Sequence, residues 1–158
     1  MEDLETVAPA FVEMAHSIVW CTAATVDTAG RPRTRVLHPI WEWDGTELVG
    51  WIATSPTSLK AKHLARLPRM SCTYWATNHD TCTADCDTSW HDEARERLWQ
   101  LYTEAPAPLG YDPRMIPGWE SPSSPGFGAL RLRPTRLSLM PGSLLMQGTG
   151  RAMAWQAS

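Results

Sequence analysis

A chain of 158 residues with 17 acidic and 14 basic side chains (formal charge -3) has the length of one domain, and it lacks the basic stripe that nucleic-acid binding needs. No stretch approaches the roughly 18 uninterrupted apolar residues of a membrane helix, and Glu2, Asp3 and Glu5 stand where an export signal would carry bases, so a soluble, cytoplasmic protein is expected, with no nucleic-acid or membrane partner. In that setting the four cysteines read as reduced thiols, while the nine tryptophans suit cores, dimer interfaces and planar-ligand pockets alike.

Leu4, Val7, Phe11 and Met14 have near-helical spacing and predict a short amphipathic helix ending near His16, with Pro9 in its first turn. Ser17 to Val26 is rich in β-branched and aromatic residues and stops at Asp27-Thr28-Ala29-Gly30, which has turn chemistry. Arg33 to Trp43 alternates and meets the hairpin signal Asp44-Gly45 before Leu48 to Ala53, giving three consecutive antiparallel strands. At Thr54 the period changes: Leu59, His63 and Leu64 are helically spaced, with Ser55 as a cap and Pro56 at a first helical position. Pro68 ends this helix, and Met70 to Ala76 and Thr81 to Thr88 read as a fourth and fifth strand across a loop at Asn78-His79-Asp80. Ser89 with Asp92 suggests a capped helix running through Leu98 and Tyr102 to cover the sheet. Residues 104-126 are proline-rich and predict a loop within one domain spanning 1-158, after which Ala129 to Leu139 alternates as a closing strand kinked at Pro134. Many short strands with few flanking helices predict a mainly β (α+β) antiparallel barrel.

The strand-to-helix junction carries the strongest chemical signal. Thr54, Ser55, Thr57 and Ser58 supply hydroxyls, the helix start supplies free amides, and Lys60 adds a cation one turn in, which together are what an anionic phosphate requires. Arg33 and Arg35 lie two positions apart on a nearby strand and share a face, so an arginine fork can reach the same phosphate.

The run Arg33-Thr34-Arg35-Val36-Leu37-His38, then Ile52-Ala53-Thr54-Ser55-Pro56-Thr57-Ser58-Leu59-Lys60, then Leu64 to Arg69 and Cys72-Thr73-Tyr74-Trp75, resembles the core of the pyridoxamine 5'-phosphate oxidase-like split β-barrel. The resemblance covers residues 17 to 76, and Arg131 to Leu137 resembles the strand such proteins place near their C-terminus. It implies a homodimer holding flavin mononucleotide (FMN), or the 8-hydroxy-5-deazaflavin coenzyme, at the subunit interface. By position it makes Arg33 or Arg35 the phosphate-binding arginine, Thr54 and Ser55 the Thr-Asn pair, and Ser58 and Lys60 the phosphate-binding helix start, with Leu59 standing where the family has arginine. The Arg-x-His and Trp-Gln-Gly segments of the true oxidases do not occur between Leu139 and Ser158, so pyridoxine phosphate oxidation is not expected.

His79, Cys82, Cys86 and His91 form a His-x2-Cys-x3-Cys-x4-His series whose spacing fits no standard zinc finger, and buried cysteine is its simpler reading, so no metal site is assigned. No residue is assigned as general acid or base. The resulting expectation is an FMN- or deazaflavin-dependent oxidoreductase acting on an unknown small molecule, with the proline-rich loop shaping the substrate mouth. Two alternatives stand beside it: a non-catalytic flavin-binding or sensing protein, and a cofactor-free dimeric module.

Overall fold

The structure is a computed structural model describing residues Met1–Ser158. Its elements run α1 (Leu4–Ile18), β1 (Cys21–Val26), β2 (Pro32–Leu37), β3 (Ile40–Trp43), β4 (Leu48–Thr54), α2 (Leu59–Arg66), β5 (Arg69–Trp75), β6 (Thr81–Trp90), α3 (Arg95–Glu104), β7 (Gly128–Met140), α4 (Gly142–Gln147) and β8 (Met153–Gln156). All strand pairs are antiparallel, in the order β2-β1-β5-β6-β7-β4-β3, with β8 pairing the free stretch of β7. Laid flat, that order would set β2 and β3 about 29 Å apart, six spacings of about 4.8 Å. The chain joins them through His38 and Pro39 alone, and three residue steps reach at most about 11 Å. The sheet must therefore curl into a barrel, and because no ladder joins β2 to β3, the barrel is split there.

This overturns one expectation. Arg33 to Trp43 is not a single strand: it breaks at His38-Pro39, where proline removes a ladder donor, and its two halves become opposite edges of the sheet. The kink expected at Pro134 is present as a register shift, with Asp85 opposite Arg136 and Cys86 opposite Pro134. The extra residue, Thr135, sends its hydroxyl to the Asp85 carbonyl (3.1 Å) and accepts from Ala157 N–H (2.9 Å).

Alternation puts one face of each strand inside, clearest in β4, where every second residue is buried. The barrel interior collects Cys21, Ile52, Met70, Cys72, Tyr74, Cys82, Leu130, Leu132 and Leu137, and α1 adds Val7, Ala8, Phe11 and Ala15. Pro9 sits inside α1 rather than in its first turn, and the helix continues to Ile18. Phe11 meets the Trp41 ring edge-on at 4.9 Å, Trp41 donates its indole N–H to Tyr74 Oη (2.8 Å), and His16 Nε2 accepts Trp41 N–H (2.9 Å). Gly50 leaves room for that indole, since a Cβ there would lie 2.6 Å from it.

A second core forms outside the barrel, where α3 covers Ile40, Phe127 and Ala129 with Leu98 and Tyr102. Ser89 does not cap this helix: it lies in β6, and Asp92–Ala94 forms a 3-10 turn before α3 begins at Arg95. Residues 105-126 are a loop, as the prolines require, yet a packed one. The Tyr111 ring lies tilted against Tyr102 (4.7 Å), and Trp119 donates to the Gly126 carbonyl (2.9 Å) while its ring abuts Phe127 (5.0 Å). Neither α4 nor β8 was expected. Gly142 docks α4, donating its N–H to Asp80 (2.7 Å), and a Cβ on it would stand 1.9 Å from the Asn78 carbonyl oxygen. Gly142→Ala is expected to cost about 1–3 kcal/mol by overpacking against backbone that cannot swing aside; urea denaturation measures it. No helix is long and apolar enough to cross a membrane.

Candidate functional site: a cationic recess between β2 and α2

The turn Asp27–Arg31, strand β2 and the start of α2 enclose a recess of about 800 Å³. The turn exists because Asp27, at the end of β1, folds its carboxylate back over it: Oδ1 accepts Ala29 N–H (2.9 Å) and Arg31 N–H (3.0 Å). Oδ2 accepts Nε of both Arg31 and Arg33, each at 3.0 Å. One acid thus orients two guanidiniums, and both of these arginines line the recess. The Arg31 amide, assisted by both arginines and Ala29, holds the Asp27 carboxyl well below the usual carboxylate range. A depressed folded-state pKa contributes stability above the ordinary aspartate value of about 3.9, and that stability is lost as the pH falls below it. Asp27→Asn is therefore expected to flatten the fall in Tm between pH 7 and pH 3; an unchanged pH dependence would remove Asp27 from this role.

The opposite wall is α2. Its cap is Ser58, not Ser55: Ser58 Oγ accepts Ala61 N–H (3.4 Å) and the Lys60 ammonium (3.1 Å). The helix is pinned to β1 by His63 Nδ1 and Thr25 Oγ1, 2.9 Å apart and both buried, and Arg66 donates to the Thr28 carbonyl (2.7 Å), bracing the turn. Arg35 reaches in from β2 and donates to the Ala23 carbonyl (3.1 Å).

Of the residues singled out in the sequence, Arg33, Arg35, Ser58 and Lys60 line this recess together. Thr54 and Ser55 do not. Thr54 is buried at the end of β4 opposite Gly128, and Ser55 turns toward Thr57, its Oγ 3.1 Å from Thr57 Oγ1. The recess also takes in Asp27, Arg31 and Lys62, which the sequence reading left out. None of the residues of the proline-rich loop lines it, so the loop does not shape this mouth.

Five cations (Arg31, Arg33, Arg35, Lys60 and Lys62) face the recess with Asp27 as its one acid, and Asp27 is already engaged by Arg31 and Arg33. Arg35, Lys60 and Lys62 have no carboxylate partner. Burial, and then the charge of Arg35, pull the Lys60 pKa down, and burial does the same to Arg35. Two half-buried cations repel each other with no anion between them, an arrangement that a bound phosphate relieves.

The His79, Cys82, Cys86 and His91 series is dispersed. Cys82 and Cys86 lie in the barrel core, where burial pushes the Cys82 thiol up to about 12 and raises Cys86 well above the usual thiol range. His79 and His91 flank opposite ends of β6, and no cluster of three metal-ligating side chains forms.

The curled, split sheet has counterparts among solved structures. A protein related to general stress protein 26 of the pyridoxinephosphate oxidase family from Clostridium acetobutylicum superposes with a TM-score of 0.67 at 14% identity, over 96% of this chain and 95% of that one. A pyridoxamine 5'-phosphate oxidase-related, FMN binding protein from Nostoc punctiforme gives 0.66 at 16% identity, over 100% and 98%. The chain has the pyridoxamine 5'-phosphate oxidase-like fold. PhzG from Burkholderia lata, in complex with tetrahydrophenazine-1-carboxylic acid, shares this fold with a TM-score of 0.67 at 16% identity, over 97% and 86%. No protein-family model matches the sequence, and no curated protein does. In this pyridoxamine 5'-phosphate oxidase-like barrel the recess between β2 and α2 is a surface feature of one chain, beside the exposed β2.

Proposed function

We propose that this protein binds FMN by its phosphate in the recess between β2 and α2 and acts as an oxidoreductase on a small molecule. The observation that carries the reading is the Arg35–Lys60 pair, two half-buried cations that face one recess with no acid to neutralise them. The two guanidiniums set by Asp27 enlarge the same field. Arg35 and Lys60 would hold the phosphate, and Ser58, whose oxygen already accepts Lys60 and Ala61, has its own O–H free to donate to it. When bound, the isoalloxazine ring supplies hydride or electron transfer, while the chain's residues anchor and orient it. The 8-hydroxy-5-deazaflavin coenzyme presents the same kind of phosphate and is the second ligand this site would take.

The outer face of β2, β1 and β5 supports a homodimer. Val36, Thr22 and Thr73 lie in one cross-strand row, all exposed. Two residues beyond the Thr22–Thr73 pair stand Trp20 and Trp75, 57% and 56% exposed, a cost in water that a second copy would remove. Titration of the purified, ligand-stripped protein with FMN, and separately with the deazaflavin coenzyme, tests the reading by fluorescence. Saturable binding of one of them at one equivalent per chain is expected. Absence of binding to both would overturn it.

A further inference from the structure

The C-terminal end of β6 carries a hydrogen-bonded chain of three side chains unconnected with the cationic recess. Ser89 Oγ lies 2.8 Å from His91 Nε2, and His91 Nδ1 lies 2.6 Å from Glu93 Oε1. The order of groups is that of a nucleophile, a base and the acid that orients the base. The alternation of an extended strand puts Ser89 and His91 on one face. The His91 bond, with help from its own amide, holds the Glu93 carboxyl below its ordinary range, so it is a charged acceptor at neutral pH. An ionised Glu93 takes the Nδ1 proton as its hydrogen-bond donor, which leaves Nε2 as the acceptor for the Ser89 hydroxyl.

A recess of about 420 Å³ opens beside this chain, with His91 in its wall. Trp51 meets the His91 ring edge-on at 5.8 Å, and Trp43 forms a second aromatic wall. Arg131, also in the wall, stands directly across the ladder from Ser89. It is held by Glu47 (2.6 Å), as Arg97 is held by Glu42. The recess is therefore aromatic, with three acids (Glu42, Asp44 and Glu47) against two guanidiniums (Arg97 and Arg131), and the Arg131 guanidinium, held by Glu47, belongs to the residue opposite the serine, where an oxyanion would develop.

We propose that Ser89 and His91 are catalytic residues of an acyl-transfer site, with Glu93 as the positioning residue, and that the site hydrolyses aryl esters of short carboxylic acids. Ser89 Oγ bonds to the ester carbonyl carbon as its proton passes to His91 Nε2. The bond from that carbon to the aryl oxygen breaks, and the aryl oxide leaves as a phenol with the His91 proton. Water then adds to the Ser89 ester, gives its proton to His91, and the carboxylic acid departs as Ser89 Oγ recovers that proton.

The test uses the whole chain with diisopropyl fluorophosphate as a covalent probe and p-nitrophenyl butyrate as substrate. Expected are one phosphoryl adduct, found on Ser89 by peptide mass, and hydrolysis that falls about 100-fold or more in Ser89→Ala and in His91→Ala. Glu93→Gln is expected to lower kcat with KM unchanged, and Glu93→Asp to recover part of the loss. Ser89 and Glu93 are exposed, and His91 is 28% exposed with its ring edge-on to Trp51; thermal melts of the variants verify that the Tm stays close to that of the parent protein. Hydrolysis that survives in Ser89→Ala would reveal a free imidazole acting alone and would overturn the proposal, as would the absence of both adduct and turnover in the parent protein.

Discussion

Lys60→Ala is expected to weaken FMN binding about 10- to 100-fold while leaving the Tm close to that of the parent protein. A hydrogen bond to a charged group is worth about 1.5–3 kcal/mol, and each 1.4 kcal/mol is tenfold in Kd. Lys60 makes one hydrogen bond, to Ser58, and has no acid partner, so its removal takes charge from the recess and little packing from the fold. The neighbouring position supplies the converse experiment. Leu59 is 67% exposed and lines the same recess; Leu59→Arg adds a cation there and is expected to tighten binding. A fluorescence titration of the three proteins side by side decides the matter. Equal affinity in all three would remove the phosphate from this recess.

Phe11→Ala is expected to cost about 3–5 kcal/mol, a large fraction of the 5–15 kcal/mol that holds a typical domain together. Phe11 is fully buried, and its ring touches both Trp41 and Tyr74. Those two are themselves joined through the Trp41 indole N–H (2.8 Å). Truncation would leave a cavity beside a polar pair that needs dry, rigid surroundings to keep its geometry. Chemical denaturation followed by tryptophan fluorescence should show the midpoint falling with the slope unchanged. A loss below 1 kcal/mol would mean that α1 is a loose cover rather than part of the core.

The fold was legible wherever a local pattern had a single meaning. Leu48–Thr54 and Gly128–Met140 alternate much as expected, and the turn signals Asp27-Thr28-Ala29-Gly30 and Asp44-Gly45 end β1 and β3 where the sequence places them, but the strand expected from Ser17 begins only at Cys21 because α1 runs on to Ile18. The errors fall where two patterns compete. Ser55 and Ser58 both precede a helical run, and only tertiary geometry makes Ser58 the cap of α2 while Ser55 closes a turn. Ser89 followed by Asp92 imitates a capping box, yet strand pairing with Arg131 outweighs that local preference. Missing this also hid Ser89, His91 and Glu93 as a set, since a helix would have scattered them. At the cationic recess, Arg33, Arg35, Ser58 and Lys60 announced themselves by spacing within β2 and α2. Asp27, Arg31 and Lys62 join them through the way a turn folds over an adjacent strand, which no spacing encodes. Topology was the least visible part: nothing local says that the two halves of Arg33 to Trp43 end on opposite edges of one sheet.

The position of β7 has a consequence for how this protein comes into being. It pairs with β6 and β4 and also carries β8, and it begins only at Gly128. During synthesis, β2, β1, β5 and β6 can assemble as one ribbon and β3 with β4 as a separate hairpin, but no strand ladder joins the two until β7 emerges between β6 and β4. Pairs such as Gly50–Leu132 must then form across about half of the chain, a search that slows folding and leaves two bare sheet edges exposed meanwhile. Quality control in the cell would meet a chain whose two ribbons lack the ladder between them, and a ribosome stalled before Gly128 would release a species with unpaired edges at β6 and β4.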